Sequence, residues 1–118
     1  MSKQLKNSKH FCMMPWTHMH LWPAGTTYPC CMSDPDHPVG NTQDQTLQDI
    51  WNGPEMRQLR LNMLEDTPSK ECRRCYELED NGMSTLRNSS IENYMHHWDK
   101  VESTSDDGSA GDVNMAYM

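Results

Sequence analysis

With 118 residues, 35% of them apolar and a single Phe, the chain has room for one small domain whose side-chain core is thin. Domains of this size lean on a disulfide, a metal or a partner for stability. A formal charge of −7 excludes nucleic acid and anionic membranes as principal partners, since both call for a basic face.

Residues 1–10 are polar and expected to be flexible. The opening Met1-Ser-Lys-Gln-Leu-Lys6 carries basic residues with no apolar run behind them, unlike a secretory signal. No stretch reaches the length that spans a bilayer, so the expected location is cytoplasmic. From Phe11 the pattern changes. Trp16-Thr-His-Met-His-Leu-Trp22, Pro23-Ala-Gly-Thr26 and Thr27-Tyr-Pro-Cys30 predict two strands around a turn, a β-hairpin. Alternation puts His18 and His20 on one face, with Thr17, Met19 and Leu21 on the other.

Ser33-Asp-Pro-Asp-His-Pro38 is too rich in Pro and Asp for regular structure, and Val39-Gly-Asn41 closes that loop. Thr46, with Asp49 three residues on, predicts a capped helix bearing Leu47, Ile50 and Trp51 on one face. Asn52-Gly53 ends it. Pro54 sits where first-turn prolines sit and opens a second helix, striped by Met56, Leu59, Met63 and Leu64. Pro68 breaks the chain before Glu71–Glu79, a short helix stopped near Gly82. Ser89 and Glu92 read as another capping box, opening a stripe of Ile91, Tyr94, Met95 and Trp98 that calls for a surface beyond the domain. Residues 99–112 are Ser, Asp, Gly, Glu and Thr with almost nothing apolar, the composition of a solvated acidic linker. Val113–Met118 alternates like the start of a strand.

The expected fold is therefore α+β: a small domain with a β-hairpin, two or three short helices and irregular Cys-bearing loops. It covers residues 11–98, between a flexible N-terminus at 1–10 and a disordered acidic tail at 99–118.

Five cysteines in so short a chain far exceed ordinary usage, and in a reducing compartment spaced cysteines point to metal before disulfides. Cys72-Arg-Arg-Cys75 presents two thiolates to one metal centre from a single turn, as zinc knuckles and iron–sulfur sites both do. A thioredoxin-like redox pair has the same spacing but needs a βαβ setting, which is missing. Cys12 enters the hairpin and Cys30 leaves it, so the hairpin base brings both sulfurs toward the later pair. Cys31, adjacent to Cys30 and pointing to the opposite face, is the expected spare and the alternative ligand. A four-cysteine zinc site in an interaction module without redox role is the rival; one close pair and an isolated Cys12 suit it less well. No cysteine has a base at a motif spacing for nucleophilic catalysis.

Other side chains have expected supporting roles. His18 and His20 are candidates to contact the ligands from outside, and Arg73 and Arg74 to offset thiolate charge. Trp16, Trp22 and Trp51 are expected to pack around the centre, the eleven Met to fill the core, and His96 and His97 to lie on the surface.

Gly25-x-x-x-x-Cys30, the Gly40-Asn41 step, Leu47-x-x-Ile50-Trp51 and Cys72-x-x-Cys75, in that order, resemble the SPASM and twitch domains of radical S-adenosylmethionine proteins. The resemblance covers roughly Phe11 to Ser90. Phe11-Cys-Met-Met-Pro-Trp-Thr-His-Met-His20 is similar to a subgroup in which this module precedes the catalytic core. The resemblance implies one auxiliary [4Fe–4S] cluster on Cys12, Cys30, Cys72 and Cys75, as in the single-cluster twitch form, because further cysteines are missing after Cys75. It implies a role in electron transfer or in docking a peptide or protein substrate. The C-x-x-x-C-x-x-C motif of the radical core is absent. The expected partner is therefore a radical S-adenosylmethionine core in the same chain or in trans, with this module not catalytic alone.

Overall fold

The computed structural model describes residues 8–111. Its elements run α1 (Met14–Thr17), β1 (His20–Leu21), β2 (Thr26–Tyr28), β3 (Gly40–Asn41), α2 (Leu47–Trp51), α3 (Pro54–Leu64), a 3-10 turn at Lys70–Cys72, α4 (Arg73–Asp80), α5 (Leu86–Tyr94), a second 3-10 turn at Met95–His97 and α6 (Trp98–Glu102). The fold is α+β, as the residue pattern predicts. Val113–Met118 and residues 1–7 lie outside the described residues.

The hairpin is shorter than its alternation suggests and gains a third strand. Antiparallel β1 and β2 pair His20 with Tyr28 and Leu21 with Thr27, and β3 adds to the far edge of β2, giving the order β1-β2-β3. Trp16 and Thr17 belong instead to the helical turn α1, which Pro15 opens and the Thr17 hydroxyl braces by donating to the Met13 carbonyl at 3.2 Å. Pro in a first helical turn loses no hydrogen bond, and burial of Met13, Met14 and Trp16 favours the turn over an extended segment. Gly25, at φ +98, makes the tight hairpin turn. Gly40 lets β3 approach α2, since a Cβ there would stand 2.7 Å from Ile50 Cγ1.

The caps of α2 and α3 fall where the sequence puts them. Thr46 and Asp49 exchange hydrogen bonds across the first turn of α2, and Pro54 starts α3 behind Gly53. Helix α5 begins earlier than expected, because Thr85 and Asn88 form its capping box instead of Ser89 and Glu92. Its continuation needs no outside surface: Trp98 and Val101 are buried, with Trp98 5.6 Å from Phe11 between ring centres.

The core is built from Phe11, Met13, Met14, Trp16, Met19, Ile50, Trp51, Met56, Leu59 and Met63 together with Trp98 and Val101. Trp22 is the exception among the tryptophans expected inside. It is 49% exposed at the hairpin turn, packing on Tyr28 and the edge of His20. Among the described residues no helix is long and apolar enough to cross a membrane.

At the bottom of the core lies a fully buried cation. Arg60 donates to the carbonyls of Pro15 (2.9 Å), Trp51 (2.7 Å) and Gly108 (3.1 Å) and to Asn52 Oδ1 (3.2 Å), with its guanidinium 4.5 Å above the Trp51 ring. Desolvation lowers its pKa to about 10, so it remains charged at neutral pH. This fan ties α1, α2 and α3 to the acidic segment behind α6. That segment, solvated by composition, runs back along the helices: Asn52 exchanges hydrogen bonds with Ala110 at 2.9 and 3.0 Å, and Trp51 Nε1 donates to the Gly111 carbonyl at 2.6 Å. The polar backbone of a Ser/Gly-rich stretch is what an apolar-poor scaffold has available to satisfy buried donors.

Replacement of Arg60 by Met leaves several buried acceptors unpaired and is expected to destabilise the fold by about 3 kcal/mol. Denaturant unfolding monitored by tryptophan fluorescence measures it; a change below about 0.5 kcal/mol would show that the fan contributes little.

Candidate metal centre

Four cysteines converge from three separate segments. Cys12 precedes α1, Cys30 follows β2, Cys72 ends the 3-10 turn and Cys75 lies in the first turns of α4. Cys12, Cys30 and Cys75 are buried and Cys72 is half-buried. Each of Cys12, Cys30 and Cys75 acts electrostatically on Cys72, and Cys12 and Cys75 act on Cys30. Burial is the main force on the first three thiols in chain order: it raises Cys12 to about 11, Cys30 to about 12 and Cys72 well above the ordinary range. Neighbouring thiolates add to the rise at each. A cation bound among them would reverse this balance, because coordinating thiols lose their protons to the metal.

Each segment carrying a cysteine is pinned from outside the group. The Cys30 loop is held against the Cys72 turn by Asp34, whose amide donates to the Glu71 carbonyl at 2.9 Å, and by Ser33, whose hydroxyl donates to the same carbonyl at 3.0 Å. The buried Asp34 carboxylate then accepts from Arg73 Nη2 at 2.7 Å and Nε at 3.2 Å, joining the loop to α4. The Cys12 segment is held from α5. Arg87 donates to the carbonyls of Ser8 (2.8 Å) and Phe11 (2.9 Å) while its guanidinium pairs with Glu79. Ser90 lies 3.2 Å from Cys12 Sγ and accepts from the Met13 amide at 3.2 Å. Tyr76 in α4 lies near enough to Cys72 to act on it, and its oxygen accepts from the Ser69 amide at 3.1 Å.

The expected charge compensation is distributed differently. Arg73 is committed to Asp34 and Glu77, and exposed Arg74 lines a cleft beside Cys30. The positive charge that acts on Cys12, lowering its thiol against the rise from burial, is Arg87. Cys31 is exposed and opens onto the same cleft of about 120 Å3, with His20, Trp22, Tyr28 and Arg74. His18 and His20 do share a face, their rings 6.4 Å apart. His96 and His97 stand together outside the core, ring centres 4.1 Å apart.

Among the described residues, no three His, Cys, Asp or Glu side chains stand close enough to hold a single metal ion. A tetrahedral ion with metal–sulfur bonds near 2.3 Å needs its sulfurs about 3.8 Å apart. The donor set, four thiols of which three are buried and one half-buried, is of the kind that holds an iron–sulfur group through thiolates. Asp34, Arg87, Ser90 and Tyr76 escape sequence reading because nothing in their local spacing marks them. The one visible signal is Thr85-x-x-Asn88, which places α5 and therefore Arg87 and Ser90.

The Asp34–Arg73 clamp carries a pH signature. The amide of Asp36 and the Arg73 guanidinium hold the Asp34 carboxyl below its ordinary 3.8, so its contribution to stability is present above that value and is lost as pH falls through the lower folded value. Burial raises Glu71, which works in the opposite direction, and His37 adds a nearby charge. The difference between wild type and Asp34→Asn isolates Asp34 from both. Asp34→Asn should lower the melting temperature at pH 7, with a gap that narrows below about pH 4; a gap independent of pH would show that the carboxylate charge is not what closes the loop.

A family model described as an iron–sulfur cluster-binding domain, SPASM, matches residues 12–76, from the first of the four convergent cysteines to the residue after the last. No curated protein and no solved structure matches the chain. The matched span is more than half of the 118 residues, and the chain belongs to the SPASM family of iron–sulfur cluster-binding domains.

Proposed function

We propose that Cys12, Cys30, Cys72 and Cys75 hold one [4Fe–4S] cluster, the single-cluster twitch arrangement within the SPASM family. What supports this reading is the family match over residues 12–76 together with the burial of Cys12, Cys30 and Cys75 near enough to Cys72 to act on its charge, while Cys31 is exposed. In a four-iron group each thiolate binds a different iron, whereas zinc draws all of them onto one ion.

A bound cluster supplies one-electron redox chemistry. The chain's own part is to hold and shield. Asp34 and Arg73 fix the Cys30 loop against α4, Arg87 fixes the approach to Cys12, and Phe11, Met13 and Met63 keep water from the Cys12 side. The function that follows is auxiliary: electron transfer, or seating of a peptide or protein substrate, for a radical S-adenosylmethionine core in cis or in trans in the cytoplasm. The C-x-x-x-C-x-x-C motif does not occur in this sequence, which is in keeping with a radical generated by that core.

Protein purified without oxygen should contain about four iron and four sulfide per chain and absorb broadly near 400 nm. One zinc and no sulfide would replace this reading by a zinc-stabilised interaction module. Cys72→Ala should lose the metal and, with it, much of the fold. Cys31→Ala should keep its iron. Full metal content in Cys72→Ala would defeat the ligand assignment.

A further inference from the structure

Ser90 is buried, 1% exposed, and its hydroxyl oxygen has three neighbours. The Met13 amide donates to it at 3.2 Å, the Arg87 carbonyl lies at 2.8 Å and Cys12 Sγ at 3.2 Å. A hydroxyl has one proton to give and two lone pairs to offer. With Cys12 as a thiol the three contacts balance: the amide and the S–H donate to the oxygen, and the hydroxyl donates to the Arg87 carbonyl. Once Cys12 holds a metal its sulfur has no proton. If the hydroxyl still pointed at Arg87, a sulfur and an oxygen would face each other through lone pairs in a dry site.

Turning the Ser90 proton to the sulfur removes that repulsion. The Arg87 carbonyl does not need it, because within α5 (Leu86–Tyr94) it accepts from the amide four residues on. Tyr76 lies beside a second ligand. The Ser69 amide donates to its oxygen at 3.1 Å, leaving the phenolic proton for the Cys72 sulfur beside it.

We propose that Ser90 and Tyr76 are positioning residues that donate hydrogen bonds to the metal-bound sulfurs of Cys12 and Cys72 and so raise the reduction potential of the centre. This rests on the four-cysteine reading above. A donor at a ligand sulfur withdraws electron density and favours the reduced state, which carries the additional negative charge. Ser90 lies outside the span matched by the family model, residues 12–76. The working site therefore reaches into α5.

The test is a redox titration, followed by electron paramagnetic resonance, of the full chain with its iron and sulfide quantified. Wild type, Ser90→Ala, Ser90→Thr and Tyr76→Phe are compared. Ser90→Ala and Tyr76→Phe should keep full iron and shift the midpoint potential to more negative values, while Ser90→Thr, which retains the hydroxyl, stays near wild type. Resonance Raman on wild type gives a reading that no variant needs to survive: iron–sulfur stretching bands should shift in D2O. Full clusters with unshifted potentials in both variants, or wild-type bands insensitive to D2O, would overturn this inference and leave the ligand reading intact. Wild type without iron and sulfide would sink the ligand reading itself.

Discussion

Burial lifts the thiols of Cys12, Cys30 and Cys72 far above neutral pH, so without a metal they are uncharged, weakly bonding groups gathered inside a thin core. Such a cluster of thiols offers the surrounding backbone little to hold onto. The rest of the structure is arranged around that weakness. Every segment that brings a cysteine inward is fastened by a polar bond made elsewhere: Arg87 and Ser90 for the Cys12 segment, Asp34 and Ser33 for the Cys30 loop, Arg73 for the first turn of α4.

The same solution recurs where the apolar core runs short. Arg60, fully buried, gathers carbonyls from Pro15, Trp51 and Gly108 instead of meeting a carboxylate. A guanidinium has five donors in a rigid fork, and three backbone strands can share one without any acid having to be desolvated. In a chain with a single Phe, a polar hub of this kind does what a large aromatic cluster does in a richer core.

Much of the architecture was legible because its signals are local. Thr46 with Asp49 and Gly53 followed by Pro54 mark helix starts by chemistry that depends on three or four residues only. A metal-binding use of the cysteines was readable from their count, since few other uses explain five of them in so short a chain, and the family match over residues 12–76 agrees with it. Three features were not. Trp16 and Thr17 alternate like a strand, yet burial beside Met13 and Met14 decides for a helical turn. Trp22 reads as core but stands half-exposed at a turn. The acidic stretch after Val101 has almost no apolar residue to announce docking, because it docks through backbone carbonyls, which every residue carries.

The bonds that secure the Cys12 segment cross very long stretches of chain: the contacts from Arg87 and Ser90 to residues 8–13 span 76 to 79 positions. During synthesis the first cysteine therefore emerges long before the residues that hold it. Cys72 and Cys75 follow some sixty positions later, and α5 later still. No early fragment of this chain possesses the complete set of these bonds. The segment around Cys12 therefore acquires its fastening only once translation has passed Ser90.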